Sequence, residues 1–196
     1  MHPSPYPLPP GAASISALVL AGGRGQRVGG QDKGLMDWRG HSLVAQVLKR
    51  VRPQVTNVLI SCNRNRDRYA SYAPLASPDR RPDFQGPLAG LESAAADIAG
   101  DYVLVVPCDT PMLPADLARR LLAALLQAPE AGAAYAVVDG AGQYLCALIR
   151  RTALASLPAF LDSGARAVRD WYTSIRAIGV EFNDEAECFL NLNELD

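Results

Sequence analysis

Residues 15–35 read ISALVLAGGRGQRVGGQDKGL. The apolar run Ile15 to Leu20 is too short for a core helix and stops at glycines, which is how a strand buried on both faces of a parallel sheet reads. The loop behind it packs six glycines with Arg24, Arg27 and Lys33. In an open parallel sheet ligands sit outside the carboxyl ends of the strands, and this loop falls there. Bare backbone beside concentrated positive charge suits a phosphate-rich ligand. A solvated surface loop has the same composition, so neighbouring segments must decide between the two.

Outward from that strand, His41 to Arg52 sets Leu43, Val44, Val47, Leu48 and Val51 on one helical stripe that Pro53 ends. Val55 to Ile60 reads as the next strand, closing on Ser61, Cys62 and Asn63, so the opening unit is strand, helix, strand. Pro74 to Pro87 is a polar, proline-punctuated surface loop carrying Asp79, Arg80, Arg81 and Asp83. A helix over Leu88 to Ile98, a buried strand over Tyr102 to Val106 and a helix over Pro114 to Leu126 continue the alternation. After Ala133, AAYAVV and YLCALI flank Asp139 to Gly142 and predict a hairpin, making the sheet mixed. Helical segments near Thr152 to Leu161 and Arg166 to Tyr172 lead to a strand near Ile175 to Val180. An acidic tail runs from Glu181 onward. The pattern predicts an α/β fold with a mostly parallel, mixed sheet.

Composition narrows the classes. A chain of 196 residues fits one domain, and MHPSPYPLPP at the start reads as an extended proline-rich tail, leaving a single domain over residues 15–196. With 19 basic and 20 acidic residues, the net charge of −1 provides no global field for nucleic acid or an anionic membrane. The apolar runs are too short to span a bilayer. Four dispersed cysteines and two histidines form no metal-ligand spacing and suggest a reducing cytosol.

The glycine loop is neither of the two common nucleotide fingerprints. The third glycine of GxGxxG is replaced by Val28, the second strand ends in Asn63 rather than an acid, and Lys33 follows Asp32 with Gly34 where a P-loop needs Ser or Thr. What remains is a cradle in which amide N–H groups and the three cations converge on a polyphosphate. Each charge pair is worth roughly 4 kcal/mol before desolvation. At the end of YVLVVPCDTP, Asp109 stands between Pro107 and Pro111 at the same sheet edge. Its carboxylate fits either an aspartate capping its own turn or a magnesium ligand completed by phosphate oxygens and water. Cys108 reads as packing, since no histidine stands near it in sequence to activate a thiol.

LAGGRGQRVGGQDKGL resembles the signature of nucleotidyltransferases, and GGxDKGL with PCDTP and a terminal NLN most resembles the molybdenum cofactor guanylyltransferase (MobA) family. The resemblance implies a three-layer α/β/α Rossmann-like nucleotidyltransferase fold. It also implies a cytoplasmic enzyme that uses GTP and Mg²⁺ to join GMP to the terminal phosphate of molybdopterin, releasing pyrophosphate. By motif, Leu20, Ala21, Gly22 and Gly23 contact the nucleotide, and Lys33 with Arg27 serves its phosphates. Asn63 and Asp79 match further nucleotide contacts, and Asp109 matches the metal ligand. Asn191 and Asn193 match the residues linked to molybdopterin; two apart, they share one face of an extended segment, although such a pair also satisfies turn backbone. Arg166 is a further candidate for the pterin phosphate. Transient contact with molybdenum-insertion proteins and apo-molybdoenzymes is implied as well. The chain departs from the family at Val28, where methionine is usual, and after Asn193, where Thr-Pro and a final helix are common. Molybdopterin cytidylyltransferase, a sugar-phosphate nucleotidyltransferase and a non-catalytic cofactor carrier are the competing readings.

Overall fold

A computed structural model describes residues 14–21, 32–82 and 85–192. Strand β1 (Ile15–Leu20) is buried at every position and lies at the centre of three parallel strands. β4 (Asn57–Ser61) pairs along one edge of it and β5 (Tyr102–Pro107) along the other. Leu20 is level with both Ser61 and Pro107, so the three chains leave the sheet at one height. Two bonds extend this alignment: Ala21 N–H to the Ser61 carbonyl at 2.8 Å, and Cys108 N–H to the Leu20 carbonyl at 3.1 Å. Because the chain goes from β1 to β4 and then back past β1 to β5, the carboxyl ends of β1 and β5 form a topological switch point.

The sheet has six strands in the order β4-β1-β5-β7-β6-β8, where β6 is Ala133–Val138, β7 is Ala141–Arg150 and β8 is Ile178–Glu181. Only β7 runs against the rest, through antiparallel ladders with β5 and β6. β6 and β7 form the expected hairpin. Its two-residue turn, Asp139 (φ 48°) and Gly140 (φ 76°), has the paired positive angles of a type I′ turn.

Alternation along β1 sorts the core into two faces. Ile15, Ala17 and Val19 pack with α1 (Leu43–Val51) and α4 (Leu117–Gln127), whereas Leu18 and Leu20 pack with α3 (Pro87–Ala94), α5 (Leu157–Asp162) and α6 (Val168–Ser174). This is the three-layer α/β/α arrangement. A further short helix, α2 (Arg66–Ala70), follows β4 and buries Tyr69.

Several boundaries move. The stripe predicted over residues 41–52 is buried as expected, but its helix starts at Leu43. His41 and Ser42 form β3 instead, paired with β2 (Asp37–Trp38) across Arg39 and Gly40, both at positive φ. The strand predicted over 55–60 is Asn57–Ser61, and that predicted over 175–180 is Ile178–Glu181. The helix predicted from Pro114 begins at Leu117, whose N–H donates to the Pro114 carbonyl in the preceding turn. The helix predicted over 88–98 is Pro87–Ala94, followed by a turn to Ile98. The segment predicted over 152–161 divides into a 3-10 stretch (Arg151–Ser156) and α5, and that over 166–172 is α6, starting two residues later.

Beyond β8, a 3-10 segment (Asn183–Phe189) buries Phe182 and Phe189 against each other, ring centroids 5.3 Å apart. The chain then returns along the carboxyl edge of the sheet until Leu192 N–H donates to the Asp109 carbonyl at 3.0 Å. From β8 to β5 is three strand spacings, about 14 Å. Residues 183–192 of the acidic tail therefore form a strap that reaches the switch point.

Candidate functional site

Asp109 lies two residues past β5 and receives two elements distant in sequence. Lys33, on a 3-10 turn (Lys33–Leu35), sets its Nζ 2.5 Å from Asp109 Oδ2 and also donates to Asn191 Oδ1 on the returning strap. The pair is largely shielded from water, with side-chain exposures of 19% for Lys33 and 13% for Asp109. Screening there is weak, so the ammonium and the carboxylate hold each other more strongly than they would in open water. The other carboxylate oxygen, Asp109 Oδ1, is buried with no hydrogen-bond partner among the described residues.

A second cluster stands across β1. Asn63, two residues past β4, holds Asp79 in both directions: its Nδ2 donates to Asp79 Oδ2 at 2.7 Å, and its Oδ1 accepts from Asp79 N–H at 3.1 Å. Asp79 Oδ1 too is buried and unpartnered among the described residues. Gly90 of α3 makes room beside it, since a Cβ there would lie 2.8 Å from Ser61 Oγ, 3.5 Å from Asp79 Oδ1 and 3.7 Å from Leu20 Cδ2. β4 and β5 are two strand spacings apart, about 10 Å, with the ends of Leu20 and Ala21 between them.

Buried polar atoms are normally paired, and leaving one without a partner costs about 1–3 kcal/mol. Two unpaired carboxylate oxygens along one edge are therefore a sign of missing donors or cations. For Asp109 Oδ1 the chemistry suits a hard divalent cation. Among the described residues no three His, Cys, Asp or Glu side chains gather to enclose a metal. A cation held by one carboxylate and completed by phosphate oxygens and water matches that donor set. Asp79 Oδ1, likewise, has the chemistry of an acceptor for N–H or O–H groups.

Of the residues singled out in the sequence, the structure thus brings together Lys33, Asp109 and Asn191 in one cluster and Leu20, Asn63 and Asp79 in the other, with Ala21 between. Gly22, Gly23, Arg24, Arg27, Asp83 and Asn193 lie outside the described residues. Arg166 is taken up by structure: its guanidinium donates to the carbonyls of Leu161 in α5 and of Ala165 in the loop after it and, at 2.5 Å, to Gln85 Oε1. Cys108 is buried, and burial first, then the charge of Asp109, pushes its thiol well above the usual range, which suits packing. Two residues that no motif announced, Tyr69 and Asn65, also belong here: Asp32 of the GGQDKGL motif receives hydrogen bonds from the Tyr69 hydroxyl and, at 2.9 Å, from Asn65 Nδ2. A groove of about 590 Å³ along the outer side of β4, lined by Val55, Asn57, Val58, Pro74 and Asp97 among others, contains none of these residues.

Residues 17–177 match the family described as the MobA-like NTP transferase domain. Among curated proteins, the chain is 40% identical to a molybdenum cofactor guanylyltransferase of Shewanella sp. (strain MR-4), covering 91% of this chain and 90% of that protein. It is 39% identical to one of Shewanella baltica (strain OS155), covering 93% and 92%. Among solved structures, molybdopterin-guanine dinucleotide biosynthesis protein A of Archaeoglobus fulgidus superposes with a TM-score of 0.73 at 20% identity, covering 91% and 92%. CMP:2-keto-3-deoxy-manno-octonic acid synthetase, in complex with CTP, superposes with a TM-score of 0.62 at 14% identity, covering 87% and 89%. At those identities the superpositions speak to the fold.

Proposed function

Because the chain belongs to the MobA-like NTP transferase family, we propose that it transfers the GMP group of GTP to the terminal phosphate of molybdopterin. The products are pyrophosphate and the guanine dinucleotide form of the cofactor. The observation that carries this reading is the pairing of Lys33 Nζ with one oxygen of Asp109 while the other oxygen is buried and unpartnered. An anion-binding ammonium and an amide-bearing strap meet at the carboxylate that would hold a cation.

In the transfer, an oxygen of the acceptor phosphate forms a bond to the α-phosphorus as the bond from that phosphorus to the bridging β oxygen breaks, and the electron pair leaves with pyrophosphate. The nucleophile is already ionised, so no general base is needed; the barrier is repulsion between anions and their alignment. Asp109 Oδ1 would hold Mg²⁺, which, when bound, neutralises charge on the α-phosphate. Lys33 serves the β- and γ-phosphates, trading one of its present acceptors for a phosphate oxygen, and Arg27 is assigned the same task. Leu20, Ala21, Gly22 and Gly23 line the nucleotide by their backbone. Asp79, oriented by Asn63, accepts from the nucleoside. Asn191, with Asn193, addresses the acceptor, because its amide reaches the Lys33 ammonium and so stands where the two substrates must meet. Four free thiols agree with work in a reducing cytosol. Among the described residues no helix is long and apolar enough to cross a membrane.

The test offers GTP or CTP, each with Mg²⁺ and molybdopterin, and follows pyrophosphate and the dinucleotide. Formation of the guanine dinucleotide from GTP is the expected result. Product from CTP alone would make the protein a cytidylyltransferase, and binding of GTP with neither product would make it a carrier.

A further inference from the structure

We infer that Tyr69 is a positioning residue for the transfer, acting through Asp32 and Gly34 to fix Lys33; the inference rests on the role proposed for Lys33. Tyr69 is fully buried on α2, and its hydroxyl donates to Asp32 Oδ1. Asn65, at the start of the same helix, secures the second oxygen of Asp32. The Asp32 carbonyl in turn accepts from Leu35 N–H at 3.0 Å, closing the 3-10 turn that carries Lys33.

The other side of Lys33 is clamped as well. A Cβ on Gly34 would lie 2.5 Å from the Tyr69 hydroxyl oxygen and 3.1 Å from Cys108 Sγ. The residues on both sides of Lys33 are thus seated on one phenol, Asp32 by its carboxylate and Gly34 by close approach, and Gly34 also lies against Cys108, the residue before Asp109. The Tyr69–Asp32 contact spans 37 positions in sequence and ties the turn that presents the ammonium to α2, while the approach of Gly34 to Cys108 sets that turn against the one that presents the carboxylate. Burial holds the phenol well above its usual ionisation range, so its hydroxyl stays a donor at neutral pH. Lys33 bears a long, flexible side chain whose reach is set by where its Cα is held, and misplacement of a charge-stabilising group by about 1 Å can cost about 100-fold in rate.

The test is a double-mutant cycle on guanylyl transfer, with Tyr69→Phe made in the wild-type and in the Lys33→Ala background. Tyr69→Phe keeps the ring and deletes the hydroxyl, and kcat is expected to fall about 10- to 100-fold. In the Lys33→Ala background the same change is expected to alter kcat by no more than about 2-fold, the scatter of additive pairs, because the group it positions is gone. An equal loss in both backgrounds, or none in the wild type, overturns the inference. Should Tyr69→Phe fold poorly, Asn65→Gly provides the second arm: it keeps the left-handed backbone of that exposed residue, removes its bond to Asp32, and must show the same dependence on Lys33. If the wild type binds GTP but transfers nothing, the proposed function fails, and the same cycle read as GTP affinity decides the positioning role by itself.

Discussion

Lys33 stands between two acceptors of different charge, the Asp109 carboxylate and the Asn191 amide. Replacing Asp109 with Asn keeps its size and changes the balance in two ways: the ammonium loses its counter-charge, and the buried Oδ1 becomes a neutral ligand. A neutral amide is a poor partner for a hard divalent cation. Loss of one preorganised electrostatic group typically lowers rate by about 10²- to 10³-fold. Asp109→Asn is expected to lose kcat in that range while its thermal midpoint stays close to that of the wild type; pyrophosphate release and melting curves check the two halves. Turnover at the wild-type rate would remove Asp109 from the chemistry. Lys33 and Asp109 were legible in the sequence because each directly follows a pattern with physical meaning, a glycine-rich cation loop and a buried strand ended by proline. Tyr69 and Asn65 were not, since a hydrogen bond that reaches Asp32 from 37 or 33 positions away leaves no spacing to read.

Between β8 and the switch point, the strap over residues 190–192 has one apolar anchor, Phe189, 6% exposed and packed on Phe182. Phe189→Ala removes a buried ring, a change that typically costs about 3–5 kcal/mol. Because the anchored segment lies beyond β8 and outside the sheet, the cost is expected to appear as local opening rather than global unfolding. Amide exchange at Leu192, whose N–H is bound to the Asp109 carbonyl, should accelerate about 100-fold or more. Amides of β1 should keep their protection, and acceptance of molybdopterin should weaken with Asn191 displaced. Unchanged exchange at Leu192 would mean that the strap is held by its polar contacts. The legibility of elements follows the same logic. β1 was fully readable because every residue is apolar and buried, and the β6–β7 turn because Asp-Gly favours positive φ. The β2–β3 ribbon was not, because two paired residues a side are too few to show alternation, and they borrow the first residues of what reads as α1. The strap was invisible too: its sequence speaks of charge, whereas its course follows two phenylalanines, a backbone bond at Leu192 and the contact of Asn191 with Lys33.

At the scale of the whole molecule, the four cysteines pack on a single face of the sheet, that of α1 and α4. Burial, reinforced by the Asp109 charge, raises Cys146 from the ordinary 9.0 to about 12 and moves Cys108 in the same direction. Cys62 and Cys188 are raised as well, again chiefly by burial. Above pH 9 the unfolded chain releases thiol protons that the folded protein retains, so the unfolded state binds fewer protons and stability must fall as pH rises. The stability is fully present below the unfolded thiol pKa of 9.0 and is lost on the way to about 12, at about 1.4 kcal/mol per group for each pH unit. Tyr69 and Tyr172, both raised first by burial, add to the fall above pH 10. Urea unfolding at about pH 8 and about pH 10 is therefore expected to show at least about 1.4 kcal/mol of lost stability, the contribution of one retained thiol proton. Cys146→Ala should remove its own share of the slope and leave the remainder, which separates the thiol effect from lysine deprotonation at the upper end. A stability that stays level across this range would show that water reaches these thiols in the folded state, and that the core on the α1 and α4 face is looser than its packing implies.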